Sequence, residues 1–210
     1  MQDRTYGDMF KLIQSLSGVG SFASSEQDDI ANFINRRFFE AYQTSQMWPR
    51  YLVIGEERSI ATSPAQTIPY AETAKSNIGE FIRIHRSQPF LRNSALEFDF
   101  YVDSSGAHIL NLTTADATSA FVTYKKEFTP FTVTGSYSTS TDTVPAEFFH
   151  YIAHAAYADF LRMDGQTDKA LIEEQTAGNY LALELEKVDL ITNNSTINKR
   201  FTTYVNRQSR

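Results

Sequence analysis

The stretch VPAEFFHYIAHAAYADFLRMDGQTDKA, Val144 to Ala170, constrains the fold more than any other part of the chain. Pro145 suits the first position of a helix, where its missing N–H has no partner to lose. A helix is predicted from Ala146 to Met163. Gly165, in the pair Asp164-Gly165, is placed to take the left-handed conformation that stops it. Thr167 is a candidate cap for a second helix, with Asp168 in its first turn, where the helix dipole favours an acid. Ala170, Ala177, Leu181, Leu185 and Val188 line one face of this second helix, which is predicted to run to about Leu190. A connection this short makes the two helices antiparallel neighbours.

The first of these helices carries too many apolar side chains for one partner. At about 100° per residue, Phe149, Ile152, Ala156, Phe160 and Met163 fall in a band less than about 90° wide. His150, His154, Tyr157 and Leu161 lie on its flank. The remaining face carries Glu147, Asp159 and Arg162, but also Ala155 and Ala158. A helix apolar or small over more than half its circumference is buried on several sides, in a large core or between subunits. Phe149, Ile152, Ala156 and Phe160 are therefore candidate subunit-interface residues.

His150 and His154 stand four residues apart, the spacing that places two imidazoles together in helical zinc sites. The H-E-x-x-H pattern also needs a glutamate after the first histidine, and that position holds Tyr151. The other histidines, His85 and His108, fall in predicted strands, and nothing in the sequence brings them close. The pair reads as the edge of a helix interface, hydrogen-bonded or partly wet. No metal ligand, cofactor or catalytic residue is assigned. The chain also lacks a glycine-rich phosphate loop, since Gly18-Val19-Gly20 has no following lysine, and it has no G-x-S-x-G elbow.

Upstream, residues 5 to 48 read as helical. TYGDMFKLIQSLSG is a short amphipathic piece ending near Gly18. SSEQDDIANFINRRFFEAYQTS has Ser24 followed three residues later by Gln27, a capping-box pattern. Its Ile30, Phe33, Ile34, Arg37, Phe38 and Ala41 recur at helical spacing. Pro49 makes Trp48 extended and ends this region, and Trp48 is expected to anchor the join between helix and sheet. Residues 50 to 135 are rich in short runs of aromatic and branched side chains, as in LEFDFYV, where Leu96, Phe98 and Phe100 alternate with Glu97, Asp99 and Tyr101. Asp103 to Gly106 is a turn signal that predicts a hairpin. These strands are expected to form an antiparallel meander with one wet face.

The fold class is thus α+β: a helical bundle with a C-terminal helical hairpin, an inserted antiparallel β meander and an extended C-terminal tail. The expected divisions are 1–49 for the N-terminal helices, 50–143 for a β-rich insert packed on them, 144–190 for the hairpin and 191–210 for the tail. Together they make one structural domain plus the tail.

Charge and composition narrow the function classes. The chain has no cysteine, which removes disulfides and thiolate chemistry. No apolar run approaches the roughly 20 residues of a membrane span, and the first ten residues do not have the pattern of a secretory leader. Net charge is −6, yet the last twenty residues hold Lys199, Arg200, Arg207 and Arg210 and no acid, which leaves −10 on the rest. An acidic body argues against clamping a nucleic-acid backbone. The tail also carries Ile197, Phe201, Tyr204 and Val205, the composition of a segment that folds on a partner.

The hairpin resembles the C-terminal helical hairpin of head–tail connector (adaptor) proteins of tailed bacteriophages. The resembling features are Val144-Pro145, the alanine-rich aromatic helix, the Asp164-Gly165 turn with Gln166, and the long second helix of Ala, Leu and Glu. A helix ending in Trp48-Pro49, followed by a strand insert, is similar to the larger adaptors of short-tailed phages. The resemblance implies a structural virion protein made in the host cytoplasm and placed in the neck. There it would form a homo-oligomeric, twelvefold ring between the portal protein and the tail or nozzle proteins, with DNA passing transiently and non-specifically through the channel. Neither an enzyme nor a membrane protein is implied. The tail would dock to the portal, with Ile197, Phe201 and Tyr204 as anchors and Arg200 and Arg207 pairing with acids. A different neck or tail-completion component, a β-rich ligand-binding module and a metal-dependent hydrolase using His150 and His154 are the alternatives.

Overall fold

A computed structural model describes residues 3–61, 66–89, 95–104, 108–112, 118–133 and 136–208; the side chains of His108 and of residues 191–208 lie outside that description. In chain order the elements are β1 (Arg4–Thr5), α1 (Tyr6–Ser17), α2 (Ser24–Gln43), β2 (Leu52–Ser59), β3 (Thr67–Pro69), β4 (Ile78–His85), β5 (Phe98–Val102), β6 (His108–Leu112), β7 (Ser119–Lys126), β8 (Thr143–Val144), α3 (Phe149–Met163) and α4 (Thr167–Gln208). The fold is α+β, with a helical hairpin, antiparallel sheets and a C-terminal segment projecting beyond the hairpin. The chain forms two compact units, Met1–Ser45 with Pro130–Arg210 and Gln46–Thr129. The β-rich part is thus a unit with its own core, and its limits lie at 46 and 129 rather than 50 and 143.

In the helical unit α3 is the central element, packed against α1, α2 and α4. Local chemistry fixes the helix ends. Thr5 caps α1: its hydroxyl accepts from the Asp8 amide at 3.1 Å, and the Asp8 carboxylate accepts from the Thr5 amide at 3.2 Å. α2 starts one residue earlier than the Ser24 pattern predicts a cap, with Ala23 at the cap and the Glu26 carboxylate accepting from its amide at 2.7 Å. A charged acceptor bonds an amide more strongly than the neutral Gln27. α3 starts later than predicted. Val144 is held in β8 opposite Arg4, and Pro145 opens a turn in which the Phe148 amide donates to the Pro145 carbonyl at 3.0 Å. Gly165 stops α3 as predicted, at φ 76°. The Gln166 amide then donates to the Leu161 carbonyl at 2.8 Å, and the Gly165 amide to the Arg162 carbonyl at 3.1 Å, which is the Schellman closure. Thr167 is the first residue of α4, and the helical backbone passes Leu190 and continues to Gln208. The C-terminal segment is therefore reached along one long helix.

An aromatic ladder fills the helical core. Phe22 packs edge-on to Phe10 and Phe160, with centroids 5.9 and 5.2 Å apart. Phe38 stacks on Phe131 at 4.7 Å. Each such pair adds about 0.5–1.5 kcal/mol beyond the area it buries.

The β unit holds two three-stranded sheets, ordered β2-β7-β4 and β3-β6-β5, with every pairing antiparallel. Among the described residues only β5 and β6 are consecutive partners; of the predicted Asp103–Gly106 turn between them, residues 105 and 106 lie outside the described residues. The expected meander is thus replaced by an interleaved order with β7 in the centre. β7 takes that place because Ala120, Val122 and Tyr124 are fully buried, packing with Ile68, Ile78, Ile84, Leu110 and Leu112 in one cluster. Trp48, at the start of this unit, is buried.

Candidate functional site

The two histidines sit on the α3 face that meets α4. Both imidazoles stack on the Tyr180 ring, with centroids 5.1 Å away for His150 and 5.4 Å for His154. His154 Nδ1 lies 2.7 Å from a carboxylate oxygen of Glu173. Burial, then the charges of Arg4 and His154, hold the pKa of His150 below its ordinary value. The histidine pair thus works as an aromatic bracket between the two arms of the hairpin. Among the described residues, no three His, Cys, Asp or Glu side chains are grouped as a metal ion would need. His85 is in the β unit and buried, and the side chain of His108 lies outside the description.

A dense charged cluster lies at Asp159, which the helical wheel groups with Glu147 and Arg162 on the remaining face of α3. Asp159 is only 5% exposed. Arg37 of α2 grips it with two hydrogen bonds, Nε to Oδ2 at 2.7 Å and Nη2 to Oδ1 at 2.6 Å. Arg36 also pairs with it, and Arg162 Nη1 reaches Oδ1 at 3.3 Å. Glu40 accepts from Arg37 at 2.8 Å, and Glu174 of α4 pairs with Arg162. Three guanidinium groups and three carboxylates close a neutral network tying α2, α3 and α4 together. Burial alone would raise the Asp159 pKa, but the hydrogen bonds and charges of Arg37, then Arg36, outweigh it and hold the carboxyl below its usual range.

The candidate interface residues on α3 take a different role from the one expected. Phe149, Ile152 and Ala156 are buried within their own chain, and half-buried Phe160 packs on Phe22. Most of the apolar circumference of α3 is covered by α1, α2 and α4, with Met163 of the predicted band exposed at its C-terminal end, so Phe149, Ile152 and Ala156 are not open to a second subunit. The other exposed apolar side chains of the helical unit lie chiefly on α4, as Leu171, Ile172, Leu183 and Leu190. In the β unit, Phe100, Tyr101 and Val102 of edge strand β5 are exposed. The side chains of the expected docking residues Ile197, Arg200, Phe201, Tyr204 and Arg207 are outside the description, and their backbone is helical.

A cleft of about 760 Å³ opens beside the N-terminus, lined by Asp3, Arg4, Thr5, Asp8, Ala146, Phe149 and His150. Arg4 lies over the Phe149 ring at 4.7 Å, and Asp8 is occupied in capping α1. Its charges are thus largely satisfied by structural contacts. No helix among the described residues is long and apolar enough to cross a membrane. No protein-family model matches the chain, and no curated protein matches its sequence.

Proposed function

We propose that the chain is a structural protein of the tailed-phage neck, a subunit of the head-to-tail adaptor ring that joins the portal to the tail and continues the DNA channel. The observation that carries this reading is the length of α4. It has 42 residues against 15 in α3, about 63 Å against about 22 Å at 1.5 Å per residue. α4 therefore outruns its partner and ends in the basic, acid-free segment 191–210. On a helical backbone, positions 197, 200, 201, 204 and 207 fall within an arc of about 120°. A helical arm of this composition suits docking to an acidic groove on a portal. The acidic remainder of the chain lets DNA pass without adhering, because like charges repel.

The test is the copy number of this chain in purified phage particles, by quantitative mass spectrometry against the portal protein. Near equality supports a ring in the neck. Absence from the particle defeats the reading, and hundreds of copies point to a tube or shell protein. Another neck or tail-completion position is separated by which neighbour cross-links to the chain.

The exposed Phe100, Tyr101 and Val102 on β5 favour a second reading, a β-rich ligand-binding module. An open edge strand with apolar side chains is a docking template for an extended segment. If Phe100→Ser in the full chain abolishes partner capture while loss of residues 191–210 does not, this second reading replaces the first.

A further inference from the structure

α4 carries apolar side chains on two opposite faces. Ala170, Ala177, Leu181 and Val188 are buried on the face toward α3. About 150° round the helix, Ile172, Leu183 and Leu190 are 66%, 55% and 61% exposed. They stand eleven and seven residues apart, near whole numbers of turns, so they form one line along the axis. Thr176 and Asn179 lie between Ile172 and Leu183 on the same face, so the surface is a row of exposed apolar side chains set among polar ones, the make-up of a contact surface rather than of a core. Two charged pairs rim this one: Asp168 and Glu186 lie about 50° to one side, Lys169 and Lys187 about 50° to the other. All four are exposed. Each pair recurs after eighteen residues, or five turns. Lys187 already meets Glu184 of its own helix at 2.5 Å, a surface contact weak enough to be exchanged.

We infer that this line is the contact surface for a second copy of the same chain, with the two α4 helices side by side and parallel. The charge pattern selects this occupant and this orientation. Rotation about an axis along the helices brings the acidic flank of one copy to the basic flank of the next. An antiparallel pair would set acid against acid and lysine against lysine. A contact of one face with the same face of the partner is isologous and closes at two copies, so it is a pair contact of the free chain and does not depend on the ring reading. It moves the subunit contact from α3, which is mostly covered by its own chain, to the outer face of α4.

Sedimentation velocity of the full chain over a wide concentration range tests it. The parent chain self-associates. Leu183→Glu, and independently Ile172→Glu, weaken association about tenfold or more. Their circular dichroism and thermal midpoint stay at parental values, because both side chains are exposed. Lys169→Glu with Lys187→Glu also weakens association, and adding Asp168→Lys with Glu186→Lys restores it, which a merely sticky patch would not do. A monomer at every concentration, association indifferent to Leu183→Glu, or a fourfold exchange without rescue overturns the inference. None of these readouts involves the portal. Self-association through α4 in a chain absent from particles defeats only the neck reading. Portal-equal copy number with association that ignores Leu183→Glu defeats only this inference.

Discussion

Asp159 shows how a residue's role depends on partners far away in sequence. On its own helix it is one acid beside Glu147 and Arg162 on the less apolar face, but Arg36 and Arg37 reach it from α2, and Arg37 lies 122 residues away. Removing one member of a buried, hydrogen-bonded pair leaves the other charge uncompensated, at a cost of about 3–5 kcal/mol. Asp159→Ala should therefore lower the urea midpoint by that amount of stability, with the m-value unchanged; a loss under 1 kcal/mol would show the network to be a solvated surface feature. The pH dependence follows from the same contacts. The folded-state pKa of Asp159 lies below its unfolded value of about 3.9, so its contribution is complete above that pH and is lost as pH falls through the lower, folded value. His150 adds an earlier component. Its folded pKa is also depressed, so the stability gained by keeping it neutral is full above about pH 6.5 and declines below it. His150→Gln should flatten the dependence of the thermal midpoint on pH between about 5 and 7, measured by calorimetry; an unaltered slope would mean the imidazole titrates freely.

At the scale of elements, helix ends were legible wherever their chemistry is local. Gly165 stops α3 in the left-handed region, and a Cβ there would meet nothing within 4 Å. Gly165→Ala should then cost only the backbone term, about 1–2 kcal/mol, read from chemical denaturation. Gly7 is the opposite case. A Cβ would lie 2.8 Å from the Ser138 carbonyl oxygen and 2.9 Å from that of Ser140, so Gly7→Ala should displace that turn and cost about 1–3 kcal/mol. Nothing in the sequence around Gly7 announces it, because the crowding comes from residues more than 130 positions later. The late start of α3 and the central place of β7 were hidden for the same reason: one depends on the β1–β8 pairing, the other on which strands meet. The capping of α2 was off by one residue, because the pattern did not reveal which of Glu26 and Gln27 would reach back to the chain.

At the scale of the whole molecule, the helical unit is built from both ends of the chain and the β unit from the middle. The insertion was legible as a change of periodicity from helical to alternating and back. Loss of residues 191–210 should leave the helical unit folded, since among the residues whose side chains are described its core is complete from Tyr6 to Val188. The truncated chain should keep its thermal midpoint within about 2–4 °C and lose binding to portal; unchanged binding would sink the docking role of the tail.

The sequence by itself determined the class of the segments up to Leu190, the antiparallel hairpin, the Gly165 stop and the charge contrast between body and tail. These depend on neighbours within a few residues and on summed composition. Tertiary structure alone decided that α3 is mostly covered by its own chain, that Asp159 is buried under three arginines, and that the uncovered apolar line runs along α4. Helical periodicity measures how much surface must be hidden; which neighbour hides it depends on the packing of helices distant in the chain.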